Sequence, residues 1–294
     1  MRNLKWISAG ILFALFWASA ATATKFALQS AQPLVIAQIR FAVAGIIMIL
    51  GAHFIFRQSM PSRKIFGQII IYGLLNITIY LGCYVTAMKH VTAGIGALAI
   101  AINPIYIAFL SILFLKKKLS LKIITAILLG TFGVIFASLP LMEIASVTTG
   151  GLLLLLFGML SYSVGAIYFS QRSWGNASLL TINGWQTFLG GLMLFPLTIY
   201  NFDEKQNQFD PQFWYSTLWL ALAVSIIAVS LWLWLLSRNA VKTGIWLFLC
   251  PLFGLLIAYV LLDEPIDYHT FAGLAAVIAA LMLGERTPAN SNAS

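Results

Sequence analysis

The sequence predicts an all-α integral membrane protein with ten transmembrane helices, arranged as two inverted five-helix repeats. Three observations support this fold class. Hydrophobic residues make up 61% of the 294 positions and charged residues only 9%, whereas soluble domains carry about 25% charged residues. The whole chain consists of apolar runs that are long enough to span a bilayer, separated by short polar segments. In addition, two stretches of the chain align with each other. The bilayer must therefore be the main solvent of this chain.

The apolar runs predict the individual helices, because a spanning helix needs about 20 mostly apolar residues. The first five are expected at 4–27, 33–56, 65–88, 91–115 and 121–140, and the second five at 149–172, 178–200, 213–237, 243–262 and 268–284. We expect repeats at 1–142 and 143–286 and a mobile tail at 287–294. Ala18-Ser19-Ala20 imitates a signal-peptidase site, but we expect the first run to be kept as a helix because it has a counterpart in the second half.

The distribution of positive charge predicts the topology. With the N-terminus in the cytoplasm, 13 of the 17 Lys and Arg residues fall in cytoplasmic segments, three fall outside, and Arg40 lies within a helix. This asymmetry predicts an even number of spans in the cytoplasmic membrane, with both termini in the cytoplasm. The net charge of +9 therefore indicates membrane orientation and not nucleic-acid binding. Cys83 and Cys250 share no metal-ligand spacing, so we predict no metal or cofactor.

An internal repeat is visible around two prolines. The stretch that begins Asn103-Pro104 aligns without a gap with the stretch that begins Cys250-Pro251, and each proline is followed thirteen residues later by a charged residue, Lys117 or Glu264. Arg40 and Gln186 take equivalent places in helices 2 and 7. Five spans is an odd number, so the repeats must have opposite orientations, with a site between them near mid-membrane.

These features resemble the ten-helix EamA branch of the drug/metabolite transporter superfamily over nearly the whole chain. The matching motifs are Phe16-Trp17-Ala18-Ser19, Gln38-Ile39-Arg40-Phe41, Pro104, Pro251 and Asp263-Glu264-Pro265. One departure is Lys117, where family members usually carry Glu. The resemblance implies export or exchange of amino acids, nucleobases, amines or vitamins.

Arg40 is the sharpest candidate for contact with a substrate. A guanidinium at membrane depth costs about 2.5 to 17 kcal/mol, and no acid is available in the predicted spans to pair with it. One interpretation is that Arg40 faces a cavity and attracts a carboxylate or phosphate. The alternative is that it snorkels outward or binds loop carbonyls to hold helix 2 in place.

Aromatic and amide side chains provide the other candidates. Helix 3 carries Asn76, Tyr80 and Tyr84 at intervals of four, which predicts one polar-aromatic stripe or, alternatively, a helix-packing face. Trp17, Tyr162 and Trp185 lie well inside their helices, where aromatic rings are expected to form cavity walls. Further predicted substrate contacts are Asn103 and Gln186. Pro104 and Pro251 should kink helices 4 and 9, and we expect them to act as pivots, although a static kink is the alternative.

These residues predict a secondary transporter of a small organic metabolite, such as an amino acid or a similar zwitterion. The aromatic lining equally permits an amine, a quaternary ammonium ion or a drug-like cation. No Asp or Glu lies in the middle of a predicted span, which favours a facilitator or exchanger over a proton-driven pump. The expected partners are the substrate and the bilayer, with the chain a monomer or weak homodimer.

A membrane-embedded enzyme or receptor is the alternative of another class. The sequence has no His-Glu-x-x-His motif, no Gly-rich phosphate loop and no paired intramembrane Asp residues, which such an enzyme would need. The predicted loops are also too short to hold the soluble domain that a receptor usually carries. We therefore expect a transporter and not an enzyme.

Overall fold

The computed structural model describes residues 2–91, 95–96, 99–116, 119–144, 148–262 and 268–285. The regular elements in this part of the chain are helices, which we number α1–α10. In the first half, α1 is Arg2–Ala27, and α2 is Pro33–Leu50 with a π-helical end, Gly51–Ile55. Helix α3 consists of Arg63–Gly73, a π-helical segment Leu74–Ile79, and Tyr80–Ala87. Helix α4 begins with a 3-10 turn, Ile100–Ile102, and continues as Asn103–Leu115, and α5 is Leu121–Ile144.

The second half has the same plan. Here α6 is Thr149–Gln171 and α7 is Leu179–Tyr200. Helix α8 consists of Pro211–Trp219, a π-helical segment Leu220–Ala228, and Val229–Leu236. Helix α9 consists of Ala240–Ile245, a 3-10 turn Trp246–Phe248, and Leu249–Leu262, and α10 is Tyr268–Glu285. Apart from the start of α4, which was predicted at 91 and is described from Ile100, every described helix end lies within four residues of its predicted position. The predicted loops at Lys117–Lys118 and Asp263–Asp267 and the tail at 287–294 lie outside the described residues.

Length and composition make most of these helices suitable for a bilayer. Six of them, α1, α2, α3, α6, α8 and α9, are long and apolar enough to cross it, while α4, α5 and α10 contain shorter apolar segments. The remaining helix, α7, has 22 residues but carries buried polar side chains, including Asn183 and Gln186. The prediction of a ten-helix membrane protein is confirmed.

Helix packing reveals the relationship between the two repeats. In the described part of the chain, α2 packs against α7, and α5 packs against α10. Helix α1 packs against α8 and α9, and in the same way α6 packs against α3 and α4. Exchanging each helix with its counterpart five places along leaves this set of pairs unchanged. The repeats are therefore related by a pseudo-two-fold axis, and their odd number of helices makes the repeat inverted.

The prolines in α4 and α9 follow a change of helix type. A 3-10 turn ends at Ile102 in α4 and at Phe248 in α9, and an α-helix then begins. Pro104 and Pro251 lie in the first turn of these α-helices, so the kink expected at each proline falls next to the change of helix type. The kinks expected in helices 4 and 9 stay predictions. The role of the two prolines as pivots remains a prediction.

The two π-helical segments of α3 and α8 occupy corresponding places in the repeats. Each has a backbone carbonyl that accepts a side-chain hydrogen bond from a neighbouring helix. The Ser161 hydroxyl donates to the Leu75 carbonyl over 2.8 Å, and the Asn183 amide donates to the Ser225 carbonyl over 2.9 Å. π-Helical turns within α-helices are frequent at functional sites, so these segments direct attention to the region between them.

Candidate functional site

A cluster of aromatic rings from several helices lies at the centre of the protein. Tyr162 of α6 has its ring centroid 4.8 Å from that of Tyr80 and 5.8 Å from that of Trp17. The rings of Trp17 and Tyr80 are 6.4 Å apart, and Tyr84 follows at 6.1 Å from Tyr80. The structure thus brings together four residues that the sequence singled out, on α1, α3 and α6. We call these four residues the aromatic cluster.

Two further rings extend this cluster and were not predicted. Trp232 of α8 stacks on Tyr162 at 5.3 Å and on Phe13 at 5.0 Å. A signal for Trp232 exists in the repeat, because it follows the π-helical segment of α8 by four residues, much as Tyr84 follows that of α3 by five. Phe13 has no such polar or positional signal, since one phenylalanine among many apolar residues is indistinguishable from packing.

Arg40 points into the protein beside the aromatic cluster. Its side chain is 1% exposed, and its Nε donates to the Ser225 hydroxyl over 2.8 Å. Together with Trp17, Tyr80, Tyr84 and apolar side chains, it lines a cavity of about 10 Å³, which is about the minimum for one water molecule. The guanidinium therefore does not snorkel towards the headgroups in this conformation.

A chain of amide side chains joins the helices next to Arg40. The Asn76 amide donates to the Gln186 side-chain oxygen over 3.2 Å, and the Gln186 amide donates to the Asn183 side-chain oxygen over 3.1 Å. Asn183 in turn donates to the backbone of Ser225. Asn76 thus turns towards α7, whereas Tyr80 and Tyr84 line the cavity, because the π-helical segment changes the register between them. Asn183 and Ser225 were missed.

Asn103 is buried next to this region but its hydrogen bonds are made within the protein. Its side-chain amide donates to the Ile100 carbonyl over 3.0 Å and contacts the Met159 sulfur at 3.2 Å. Its side-chain oxygen accepts from the Ser163 hydroxyl over 3.0 Å. These bonds hold α4 against α6, so in this conformation Asn103 supports the wall beside Tyr162.

Trp185 lies apart from the aromatic cluster. Its indole N–H donates to His53 Nε2 over 3.0 Å, and its ring meets that of Phe66 edge-on at 5.2 Å. Adjacent residues of an α-helix point about 100° apart, so only one of Trp185 and Gln186 can face the centre. Gln186 does, and the expectation that Trp185 shares a cavity wall with Trp17 is corrected.

Several polar atoms around the centre lack a protein partner. Within the described residues, the hydroxyls of Tyr84 and Tyr162, the side-chain oxygen of Asn76 and the indole N–H of Trp232 are buried without a hydrogen bond. Each such group costs about 1–3 kcal/mol when buried unsatisfied. Native proteins keep few such groups, so these four atoms are available for hydrogen bonds to a bound molecule or to water.

Comparison with known protein families matches both halves of the chain. The EamA-like transporter family model matches residues 4–139 and again residues 149–284. The chain belongs to the EamA-like transporter family. The match to two successive segments agrees with the repeat seen in the helix packing and makes this protein a multi-pass membrane transporter.

Relatives of this family member are spread over distant organisms. The PecM protein of Dickeya dadantii is 26% identical over 272 residues, covering 91% of this chain and 88% of PecM. An uncharacterized transporter of Synechocystis is 25% identical and covers 91% of this chain and 86% of its own. The chloroplastic WAT1-related protein At3g02690 of Arabidopsis thaliana is 23% identical, with coverages of 91% and 66%.

A solved structure shares the fold of this transporter. It superposes with a TM-score of 0.78 and covers 95% of this chain and 96% of its own, at 14% sequence identity. The arrangement of helices is thus shared by proteins whose side chains differ at most positions. The substrate must be argued from the residues of this chain.

Proposed function

We propose that this EamA-like transporter carries a small metabolite with a carboxylate group, most simply an amino acid, across the cytoplasmic membrane by alternating access. The observation that carries this proposal is Arg40, a guanidinium that is 1% exposed, lines the central cavity and has no ion pair within the described residues. A buried cation without a counter-ion is costly. A substrate carboxylate supplies the missing negative charge and accepts bidentate hydrogen bonds.

The aromatic cluster supports a second candidate, a cationic substrate such as an amine. A cation over a desolvated aromatic face gains about 2 kcal/mol. Two positive charges about 6 Å apart repel by about 3 kcal/mol at an effective dielectric constant of about 20, so Arg40 opposes a simple cation in this cavity. A zwitterion avoids this conflict, because its carboxylate meets Arg40 while its ammonium group lies over Tyr80 or Tyr162.

The size of the cavity supports alternating access. About 10 Å³ is too small for any metabolite, so a substrate reaches Arg40 only after helices separate. On the predicted outer face, Gln32 of the α1–α2 turn bonds to Asn201 and Asn207 of the α7–α8 loop over 2.8–2.9 Å. On the predicted inner face, Gln58 accepts from Thr181 over 2.6 Å. We infer that transport breaks these two groups of contacts in turn.

We also infer the membrane orientation, the coupling and the partners of this transporter. Both termini lie in the cytoplasm, as the positive-inside distribution favours. Transport is by facilitation or exchange, since the sequence has no mid-span carboxylate to carry a proton. The chain acts as a transporter and not as an enzyme, functions as a monomer or weak homodimer, and has the substrate and the bilayer as its partners.

The experiment is a counterflow screen with purified protein in liposomes. Vesicles loaded with one unlabelled L-amino acid at a time are given a trace of the same labelled amino acid outside. We expect saturable counterflow for at least one amino acid, and its loss in Arg40→Gln. Counterflow of tetraethylammonium or of amines that survives Arg40→Gln, with no amino acid transported, would overturn the proposal in favour of a cation carrier.

A further inference from the structure

The guanidinium of Arg40 is held in one orientation by its hydrogen bond to α8. Arginine carries five N–H donors in a planar fork, and the Nε–H is used by the Ser225 hydroxyl over 2.8 Å. The ring of Phe41 lies 5.6 Å from the guanidinium carbon. This bond leaves the two terminal amino groups without a hydrogen bond to the described residues, and Arg40 lines the cavity together with Tyr80 and Tyr84.

Ser225 is itself held by Asn183 of α7. The amide of Asn183 donates to the Ser225 carbonyl over 2.9 Å and to the Ser230 hydroxyl over 3.3 Å. These two contacts span the end of the π-helical segment Leu220–Ala228 and the start of the α-helix that follows it. Asn183 is 0% exposed and Ser225 is 1% exposed, so water does not compete for these bonds.

The register of the π-helical segment decides where the Ser225 hydroxyl points. Moving a helical residue by one position rotates its side chain by about 100°, which would take the Ser225 hydroxyl away from Arg40. Asn183 also accepts from Gln186 over 3.1 Å and from Thr187 over 3.3 Å. Its side chain is thus fixed from α7 and in turn fixes the π-helical segment of α8.

We propose that Ser225 and Asn183 are positioning residues, which orient the guanidinium of Arg40 so that its terminal amino groups meet a substrate carboxylate. Ser225 acts on Arg40 directly, and Asn183 acts through Ser225. This inference rests on the proposed function for its effect on transport. The orientation itself is a property of the protein alone and is measured without a substrate.

The first measurement is NMR of deuterated protein with ¹⁵N-labelled arginine in detergent micelles. The chain has seven arginines, and Arg40→Lys identifies the Nε–H signal of Arg40 by its loss. We expect that signal to be sharp and slow to exchange in the natural protein and in Ser225→Thr. In Ser225→Ala and Asn183→Ala it should shift and exchange rapidly. Thr198→Val, a buried substitution elsewhere in α7, is the matched control and should leave it unchanged.

The second measurement uses the amino acid that gives the strongest counterflow. Ser225→Ala should raise its half-saturation concentration about tenfold, the value of one hydrogen bond to a charged group, with the maximal rate kept and Ser225→Thr close to the natural protein. An unchanged Arg40 signal in Ser225→Ala overturns the inference, and so does a shifted signal with unchanged half-saturation. If Asn183→Ala does not fold, the two Ser225 variants decide. Absence of counterflow for every amino acid would contradict the proposed function. In that case the NMR signals alone test whether Ser225 and Asn183 orient the guanidinium of Arg40.

Discussion

Arg40 of α2 donates its Nε–H to the hydroxyl of Ser225 in the π-helical segment of α8, over 2.8 Å. A similar bond joins α7 to the π-helical segment of α3, but with donor and acceptor exchanged. There Gln186 of α7 accepts from the Asn76 amide over 3.2 Å. The sequence repeat predicts equivalent places for Arg40 and Gln186 in α2 and α7. The inverted repeat therefore produces two similar contacts, one of which carries a positive charge and faces the central cavity.

Replacing Arg40 by a neutral side chain of similar length should stabilise the protein and abolish transport. Replacing even a buried ion pair by apolar residues of similar volume is often neutral or stabilising by about 1–4 kcal/mol, and Arg40 has no ion-pair partner among the described residues to offset its desolvation. We expect Arg40→Met to raise the midpoint of thermal unfolding in detergent, and counterflow to be lost. A large fall in the midpoint would show instead that Arg40 mainly holds the helices together.

The unsatisfied hydroxyls of the aromatic cluster give a second prediction. Tyr84→Phe and Tyr162→Phe remove hydroxyls that lack a partner within the described residues, so thermal stability should stay equal or rise. Substrate affinity should fall, because these hydroxyls are available to the bound molecule. Tyr72→Phe is the control, since the Tyr72 hydroxyl is equally unpartnered but, within the described residues, its ring contacts Phe169 and Trp174 and no ring of the aromatic cluster. Equal affinity loss in all three variants would contradict this assignment.

The amide chain between α3 and α7 gives a third prediction. Gln186→Ala removes the acceptor of Asn76 and the donor to Asn183, leaving buried polar groups unsatisfied at a cost of about 1–3 kcal/mol each. The midpoint of thermal unfolding should fall by several degrees. Thr198→Val removes a hydroxyl that bonds only to the Leu194 carbonyl of its own helix and should have a much smaller effect. Equal midpoints of thermal unfolding for Gln186→Ala and Thr198→Val would contradict the prediction.

Close helix contacts at glycine give a fourth prediction. A Cβ atom at Gly190 of α7 would lie 2.4 Å from the Cβ of Ile77, nearer than packed atoms approach, so Gly190→Ala should force α3 and α7 apart and lower stability by about 1–3 kcal/mol. Gly67 has no neighbouring heavy atom within 4 Å of such a Cβ. Gly67→Ala should therefore stabilise α3 by about 0.5–1 kcal/mol. Thermal unfolding should therefore show a lower midpoint for Gly190→Ala and a higher midpoint for Gly67→Ala than for the natural protein.

The sequence predicts the helices and the aromatic cluster because both depend on chemistry that is visible in one residue type at a time. Apolar length and Pro or charged interruptions set the helix ends. Arg40 and the tyrosines stand out as polar groups within apolar runs. The structure confirms the helix positions and brings Trp17, Arg40, Tyr80, Tyr84 and Tyr162 together.

The orientation of neighbouring residues was harder to predict. Lipid and protein interior are equally apolar, so the sequence of α7 does not reveal whether Trp185 or Gln186 faces the centre. The π-helical segments of α3 and α8 add a change of register that no apolar pattern records. This is why Asn183 and Ser225 were missed and why Asn76 was placed on the same face as Tyr80.

The central claim is that the cavity beside Arg40 opens alternately to the two faces of the membrane. The direct measurement is labelling of Ala20→Cys, which lines that cavity, by a membrane-impermeant thiol reagent in a transport-active chain with Cys83 and Cys250 replaced. Ala44→Cys, buried between α2 and α8, is the control. We predict labelling of Ala20→Cys from both sides of the membrane, reduced by the transported amino acid, and none at the control. Labelling from one side only would contradict the account.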